Sequence, residues 1–239
     1  MKRILVITGV ILGLICSFAM KDSASAKSIQ GRTAVGLFYM PVATVGSSEV
    51  GISPLASGSV SGSALLDPST GFGLTVTRGW GSRGAIELSL DRSMHDVTHS
   101  SFDYPLAEVT MTTLGVSLEY RGGATSSSLS HYYSRFSPFI GIGAGYSLNS
   151  SDITSEVQSG CKLVSATCTF DVDNSMTLHL NGGTDFFFTD NWALSIEGRI
   201  ITGSASTIVS RKTTTSTLSS EGDLNLSRID LMAGVKYYF

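Results

Sequence analysis

In residues 229–239 every odd position is apolar, Ile229, Leu231, Ala233, Val235, Tyr237 and Phe239, and the even positions include Asp230, Gly234 and Lys236. Successive side chains of a β-strand point to opposite faces, so this stretch reads as one strand with a greasy face and a polar face. Two settings use such a strand. In a secreted β-sandwich the greasy face covers a protein core. In a membrane barrel it meets lipid, and the polar face looks into the lumen.

The same period recurs in segments 32–40, 71–78, 85–92, 110–121, 137–149, 175–188 and 192–202. In 85–92, Ile86, Leu88 and Leu90 oppose Glu87, Ser89 and Asp91. In 110–121, Leu114, Val116, Leu118 and Tyr120 oppose Gly115, Ser117, Glu119 and Arg121. In 192–202, Leu194, Ile196 and Ile200 oppose Ser195, Glu197 and Arg199. Most segments have the roughly 9–11 residues that a tilted strand needs to cross a bilayer. With 229–239 they make eight, an even number and the smallest usual membrane barrel. Backbone groups left unpaired in hydrocarbon are costly, so the strands must close into a ring.

The amino terminus places the chain outside the cytoplasm. Met1-Lys2-Arg3 is basic, the next stretch to Met20 is apolar and uncharged, and Ser23-Ala24-Ser25-Ala26 ends in a small-x-small site. This predicts a cleaved signal peptide at 1–26 and a barrel domain at 27–239. Gly13-Leu14-Ile15 ahead of Cys16 lacks the small residue that a lipoprotein cysteine requires, so Cys16 belongs to the discarded segment. Cleavage moves the net charge from −3 to −5, and few basic clusters remain, which argues against nucleic acid as a partner. Cys161 and Cys168 are the mature cysteines. Export permits a disulfide between them; a metal site is the weaker reading, since no histidine is near.

Connections alternate in length. Those at 41–70, 93–109, 150–174 and 203–223 are long, while 79–84 and 189–191 are short, as when loops face outward and turns face the periplasm. The serine-rich stretch 122–136 is an exception on the short side. Trp80 and Trp192 fall at short turns, and Tyr120, Phe188, Tyr237 and Phe239 share their level, which predicts an interfacial aromatic girdle.

The terminal pattern of Gly234, Tyr237 and Phe239 resembles the assembly signal of bacterial outer-membrane barrels. Segment 137–146, Ser-Pro-Phe-Ile-Gly-Ile-Gly-Ala-Gly-Tyr, is similar to the fifth strand of OmpW-like and opacity-type small outer-membrane proteins, and Thr189-Asp190-Asn191-Trp192 resembles their turn before strand seven. The resemblance implies an all-β, eight-stranded antiparallel transmembrane barrel in the outer membrane of a Gram-negative-type bacterium. Implied partners are outer-membrane lipid and lipopolysaccharide, the barrel-assembly machinery and periplasmic chaperones. Oligomeric state is left open, and no cofactor is implied.

Three functions compete on such a barrel. A surface or structural role needs only exposed loops. OmpW-like passage of small hydrophobic molecules implies an apolar lumen. An outer-membrane lipid-modifying enzyme needs histidine, serine and acid together at the outer leaflet. His95 and His99, with Ser100, Ser101, Asp96 and Asp103, supply those types in an outer loop but in no recognisable arrangement; His131 falls on the other side, and His179 faces the lumen. Inward positions carry Glu87, Asp91, Glu119, Arg121, Asp185, Glu197, Arg199, Arg228, Asp230 and Lys236. Buried charge must pair or stay wet, so the sequence predicts a charge network with Arg121 and Arg199 held between acids. That favours a non-catalytic surface barrel over an apolar channel.

Overall fold

The computed structural model describes residues 29–51, 55, 61–80, 83–100, 104–122 and 135–239. The signal-peptide segment 1–26, Ser101, Asp103, His131 and most of the 122–136 connection lie outside the described residues. Numbered along the chain, the strands are β1 (Thr33–Thr44), β2 (Ser48–Gly51), β3 (Ser61–Leu66), β4 (Ser69–Trp80), β5 (Gly84–His99), β6 (Ala107–Arg121), β7 (Phe136–Ile153), β8 (Thr167–Val172), β9 (Ser175–Phe187), β10 (Trp192–Lys212), β11 (Thr217–Asn225) and β12 (Arg228–Tyr238). One helix among the described residues, α1 (Ser155–Leu163), lies between β7 and β8.

Eight of these strands close into a ring, in the order β1, β4, β5, β6, β7, β9, β10, β12 and back to β1, with every pairing antiparallel. Closure is made by the terminal strand: Ala34 lies opposite Tyr238, and Gly36 opposite Lys236. A closed ring has no edge strand and no unpaired row of backbone groups.

The segments read as barrel strands form the ring, but several run far past their expected ends. β5 continues to His99, β7 to Ile153 and β10 to Lys212. The expected long loops 41–70, 93–109, 150–174 and 203–223 are therefore corrected: each contains strand, and 150–174 also contains α1. The extensions build an upper storey at the end of the barrel away from the chain termini. There β2 pairs β3, β3 pairs β5, and β10 pairs β8 on one side and β11 on the other. Side-chain bonds complete the circuit: Ser151 on β7 donates to the Phe170 carbonyl on β8, and Ser48 on β2 accepts from the Asn225 amide. β5, β6, β7 and β10 pass through both storeys. The other strands break at the boundary, at 45–47, 67–68, 173–174 and 226–227. Two breaks have local causes. Gly46 holds φ at +93°, a left-handed conformation favouring glycine, and Pro68 has no N–H to give to a ladder.

The two storeys have opposite interiors. In the lower one, Leu37, Leu74, Leu88, Val116, Ile142, Leu178, Ile196 and Leu231 face outward and are exposed, and charged and polar side chains fill the lumen. In the upper one, Val97, Ala107, Val109, Phe170, Val172, Ala205, Val209 and Leu224 pack into one buried apolar cluster, while Thr169, Asp171, Ser204, Ser206 and Asp223 face outward. An apolar exterior suits lipid and an apolar interior suits water outside. The inversion marks the level at which the surroundings that suit the wall change from lipid to water. No described helix is long and apolar enough to cross a membrane.

Candidate functional site: a charged lumen under an apolar storey

Strand alternation brings the predicted inward charges of β5, β6, β9, β10 and β12 into one space. Six carboxylates, Glu87, Asp91, Glu119, Asp185, Glu197 and Asp230, meet four cations, Arg121, Arg199, Arg228 and Lys236, all of them buried. Cations are the scarcer partner, and three of the four are shared. Arg199 reaches Glu197 at 3.0 Å, Asp91 at 2.8 Å and Glu87 at 3.4 Å. Arg121 bonds Glu119 at 2.6 Å and Asp185 at 2.5 Å. Lys236 joins the two groups, 3.2 Å from Glu87 and 3.7 Å from Asp185. Arg228 pairs with Asp230 at 3.2 Å at the top of the lumen, and its guanidinium also touches the Met111 sulfur, where the apolar cluster begins.

Several members of this network were not singled out from the sequence. Asn181 donates to Glu197 at 3.2 Å, Thr77 to Glu87 at 3.0 Å, and Tyr238 donates its phenolic hydrogen to Asp185. Arg121 lies over the Phe139 ring at 4.5 Å, and Lys236 over the same ring at 5.1 Å. Their signal was available: Phe38, Phe139, Phe187 and Tyr238 are aromatics at inward positions, and a narrow lumen needs bulk as well as charge. Below the charges Ile29, Ala34, Ala85, Phe187, Ala193 and Tyr238 form a small apolar floor.

The glycines of β7 make room for this filling. A Cβ at Gly141 would come within 2.5 Å of the Asn181 side-chain oxygen. At Gly143 it would run into the His179 ring and the Val116 carbonyl. His179 therefore lies across β7, bonded at 2.7 Å to Ser117.

The histidines read as an outer-loop cluster stand elsewhere. His95 and His99 are both in β5, at buried inward positions. The loop expectation fails because β5 keeps its alternation past Arg92 into the upper storey. His95 Nδ1 lies 3.0 Å from the Asp67 carbonyl and Nε2 3.0 Å and 3.2 Å from the Ser93 and Ser69 hydroxyls. Asp96, next along the strand, points outward. Among the described residues no group of three His, Cys, Asp or Glu side chains is placed to hold a metal ion.

At the termini end, Trp80, Tyr120, Trp192, Tyr237 and Phe239 face outward and are exposed. Tyr237 packs 4.9 Å from Trp192 and 6.0 Å from Phe239. Phe188 departs from the expected wall position. It is half-buried in the β9–β10 turn, past the last residue of β9, where its amide bonds the Trp192 carbonyl. Phe136 and Phe186, 4.9 Å apart, stand on the adjacent wall. Gly234 sits opposite Phe38, where a Cβ would meet the Leu37 carbonyl.

Cys161 of α1 and Cys168 of β8 are joined in a disulfide, and both sulfurs lie in the upper apolar cluster. Freshly purified protein should show no free thiol by alkylation and mass measurement. Reduction should loosen α1 by about 2 kcal/mol without opening the barrel, whose ladders do not depend on it. Two alkylated cysteines before reduction would overturn this.

An apolar wall, a charged lumen and a ring closed by the terminal strand decide the comparison. The fold is that of a small outer-membrane β-barrel. It is similar to the crystal structure of the outer membrane protein OprG from Pseudomonas aeruginosa, with a TM-score of 0.73 at 17% identity over 92% of this chain and 99% of that one. It is also similar to the solid-state NMR structure of the outer membrane protein AlkL in lipid bilayers, with a TM-score of 0.57 at 16% identity over 92% and 95%. No protein-family model and no curated protein matches the sequence.

Proposed function

We propose that this protein resides in the outer membrane as a closed, non-catalytic barrel that presents its upper storey to the cell's surroundings. The filled lumen carries the reading. Arg121, Arg199 and Lys236 are held by carboxylates from β5, β6, β9 and β10, so side chains from opposite walls meet across the axis. A solute larger than water would have to break several buried ion pairs to pass. Above them the apolar cluster fills the upper storey, and α1, fixed by its disulfide, packs Val157 and Cys161 into that cluster. The buried position of His95 and His99 speaks against hydrolysis at the surface, because a lipid substrate would have to displace packed strand residues to reach them.

Planar-bilayer recordings on the refolded mature protein test the reading. The expected result is no resolved single-channel step in the wild type. Large, stable steps that persist in Arg199→Ala would overturn the closed lumen.

A second reading has one observation in its favour. The upper storey has the apolar interior that uptake of small hydrophobic molecules requires, although the charged lumen below blocks the axial route. Faster entry of an apolar dye into vesicles containing the protein, without ionic conductance, would put this reading first.

A further inference from the structure

The wall is incomplete where the storeys meet beside β10. The β9–β10 ladder ends with Gly203 opposite Thr177, and the β8–β10 ladder begins with Thr207 opposite Val172. Between the two ladders lies a notch of about 560 Å³, bordered by Asn174, Ser175, Thr177, Thr202, Ser204 and Ser206. That volume is within the range of small-molecule sites.

The lining specifies a chemistry. Ser175 and Thr177 are more than nine-tenths buried, and neither hydroxyl has a hydrogen-bond partner among the described residues. Each offers one donor and two lone pairs, and leaving them unmade is costly. Thr177 turns its methyl toward Gly203 and its hydroxyl toward Gly145, and a step to another staggered χ1 rotamer would carry the hydroxyl to the Gly203 side. Asp173 is the one charged residue on the border, with no lysine or arginine beside it. A phosphate or sulfate would thus meet a carboxylate and no cation. Met176 and Leu178 carry the rim onto the lipid-facing wall, where they are 68% and 63% exposed. The notch therefore has the exposed hydroxyls of Thr202, Ser204 and Ser206 on its border, those of Ser175 and Thr177 buried beneath, and hydrocarbon at its lower lip.

We propose that this notch binds a neutral amphiphile, an uncharged sugar head seated among the hydroxyls with its apolar tail along Met176 and Leu178. The proposal goes beyond the surface role and does not depend on whether the lumen conducts.

The test uses the mature chain refolded into phosphocholine nanodiscs, titrated with octyl glucoside below its micelle-forming concentration and followed by backbone amide NMR. Saturable shifts are expected at residues 174–178 and 202–206. Binding should weaken by about tenfold in Ser175→Ala/Thr177→Val, which removes two hydroxyls at nearly constant shape. It should weaken also in Ser204→Phe, a change at the exposed rim that fills the notch and leaves the packed interior alone. A response to the glucoside and not to free glucose supports the site and assigns its occupant to the membrane. An equal response to glucose would overturn the amphiphile, because the tail along Met176 and Leu178 would then add nothing. Equal shifts with octane would overturn sugar recognition, as would no shift with the glucoside or binding undiminished in both variants.

Discussion

Arg199→Ala should cost the barrel about 3–5 kcal/mol, the largest loss expected from any single lumen substitution. The guanidinium now reaches Glu87, Asp91 and Glu197. Lys236, already shared with Asp185, could take over Glu87 alone. Removing Arg199 therefore leaves two carboxylates buried without a cation, and an uncompensated buried charge costs far more than the pair itself is worth. The measurement is the urea midpoint of refolded protein, read by the gel shift between folded and unfolded barrel. Arg78→Ala is the control, since that side chain is exposed and its bond to Thr33 lies at the surface; its midpoint should barely move. Equal midpoints for the two variants would show that water fills the lumen and screens the network.

Deleting Phe239 should remove most of the protein from the outer membrane, leaving it degraded or aggregated in the periplasm. Two roles meet in this residue. Its ring is exposed beside Tyr237 on the termini-end girdle, where a carboxy-terminal aromatic can be read by the assembly machinery. Its backbone exchanges two hydrogen bonds with Thr33, at 2.9 Å and 3.1 Å, finishing the seam between β12 and β1. Phe239→Ala separates them, because it keeps the seam and removes the ring. If ring recognition governs assembly, the alanine variant should fall nearly as far as the deletion when outer-membrane fractions are compared by immunoblot. Undiminished levels of the deletion variant would refute the assembly signal.

The lower storey was legible because one periodicity carried two kinds of information. In β5, Ile86, Leu88 and Leu90 marked the lipid face, so Glu87 and Asp91 had to point inward, and the same parity placed Glu119, Arg121, Glu197 and Arg199. Asn181, Thr77 and Tyr238 were missed as members of the network. A polar or aromatic residue at an inward position says where it points, not which carboxylate it meets. Phe188 was misplaced because β9 ends one residue before it, and a strand's last residue is not fixed by alternation.

The upper storey was missed for a different reason. In β10 the apolar residues Leu194, Ile196 and Ile200 are even-numbered and face out, whereas Ala205 and Val209 are odd-numbered and face in. The strand is continuous, but the greasy face changes sides at Gly203–Ser204, so a search for one uninterrupted pattern stops there. β6 does the same between Met111 and Leu114, and the helix 155–163 is too short to show a periodicity of its own.

By itself, then, the sequence determined the eight ring strands, the direction their lower-storey side chains point and the charges sharing the lumen, because these follow from a period of two along single strands. Only the tertiary structure decided that Arg199 serves three acids, that His95 and His99 are buried in a wall, that α1 is stapled over an apolar storey, and that the ladder lapses beside β10. Those features depend on register between strands distant in sequence, and on the level at which the solvent outside changes from lipid to water.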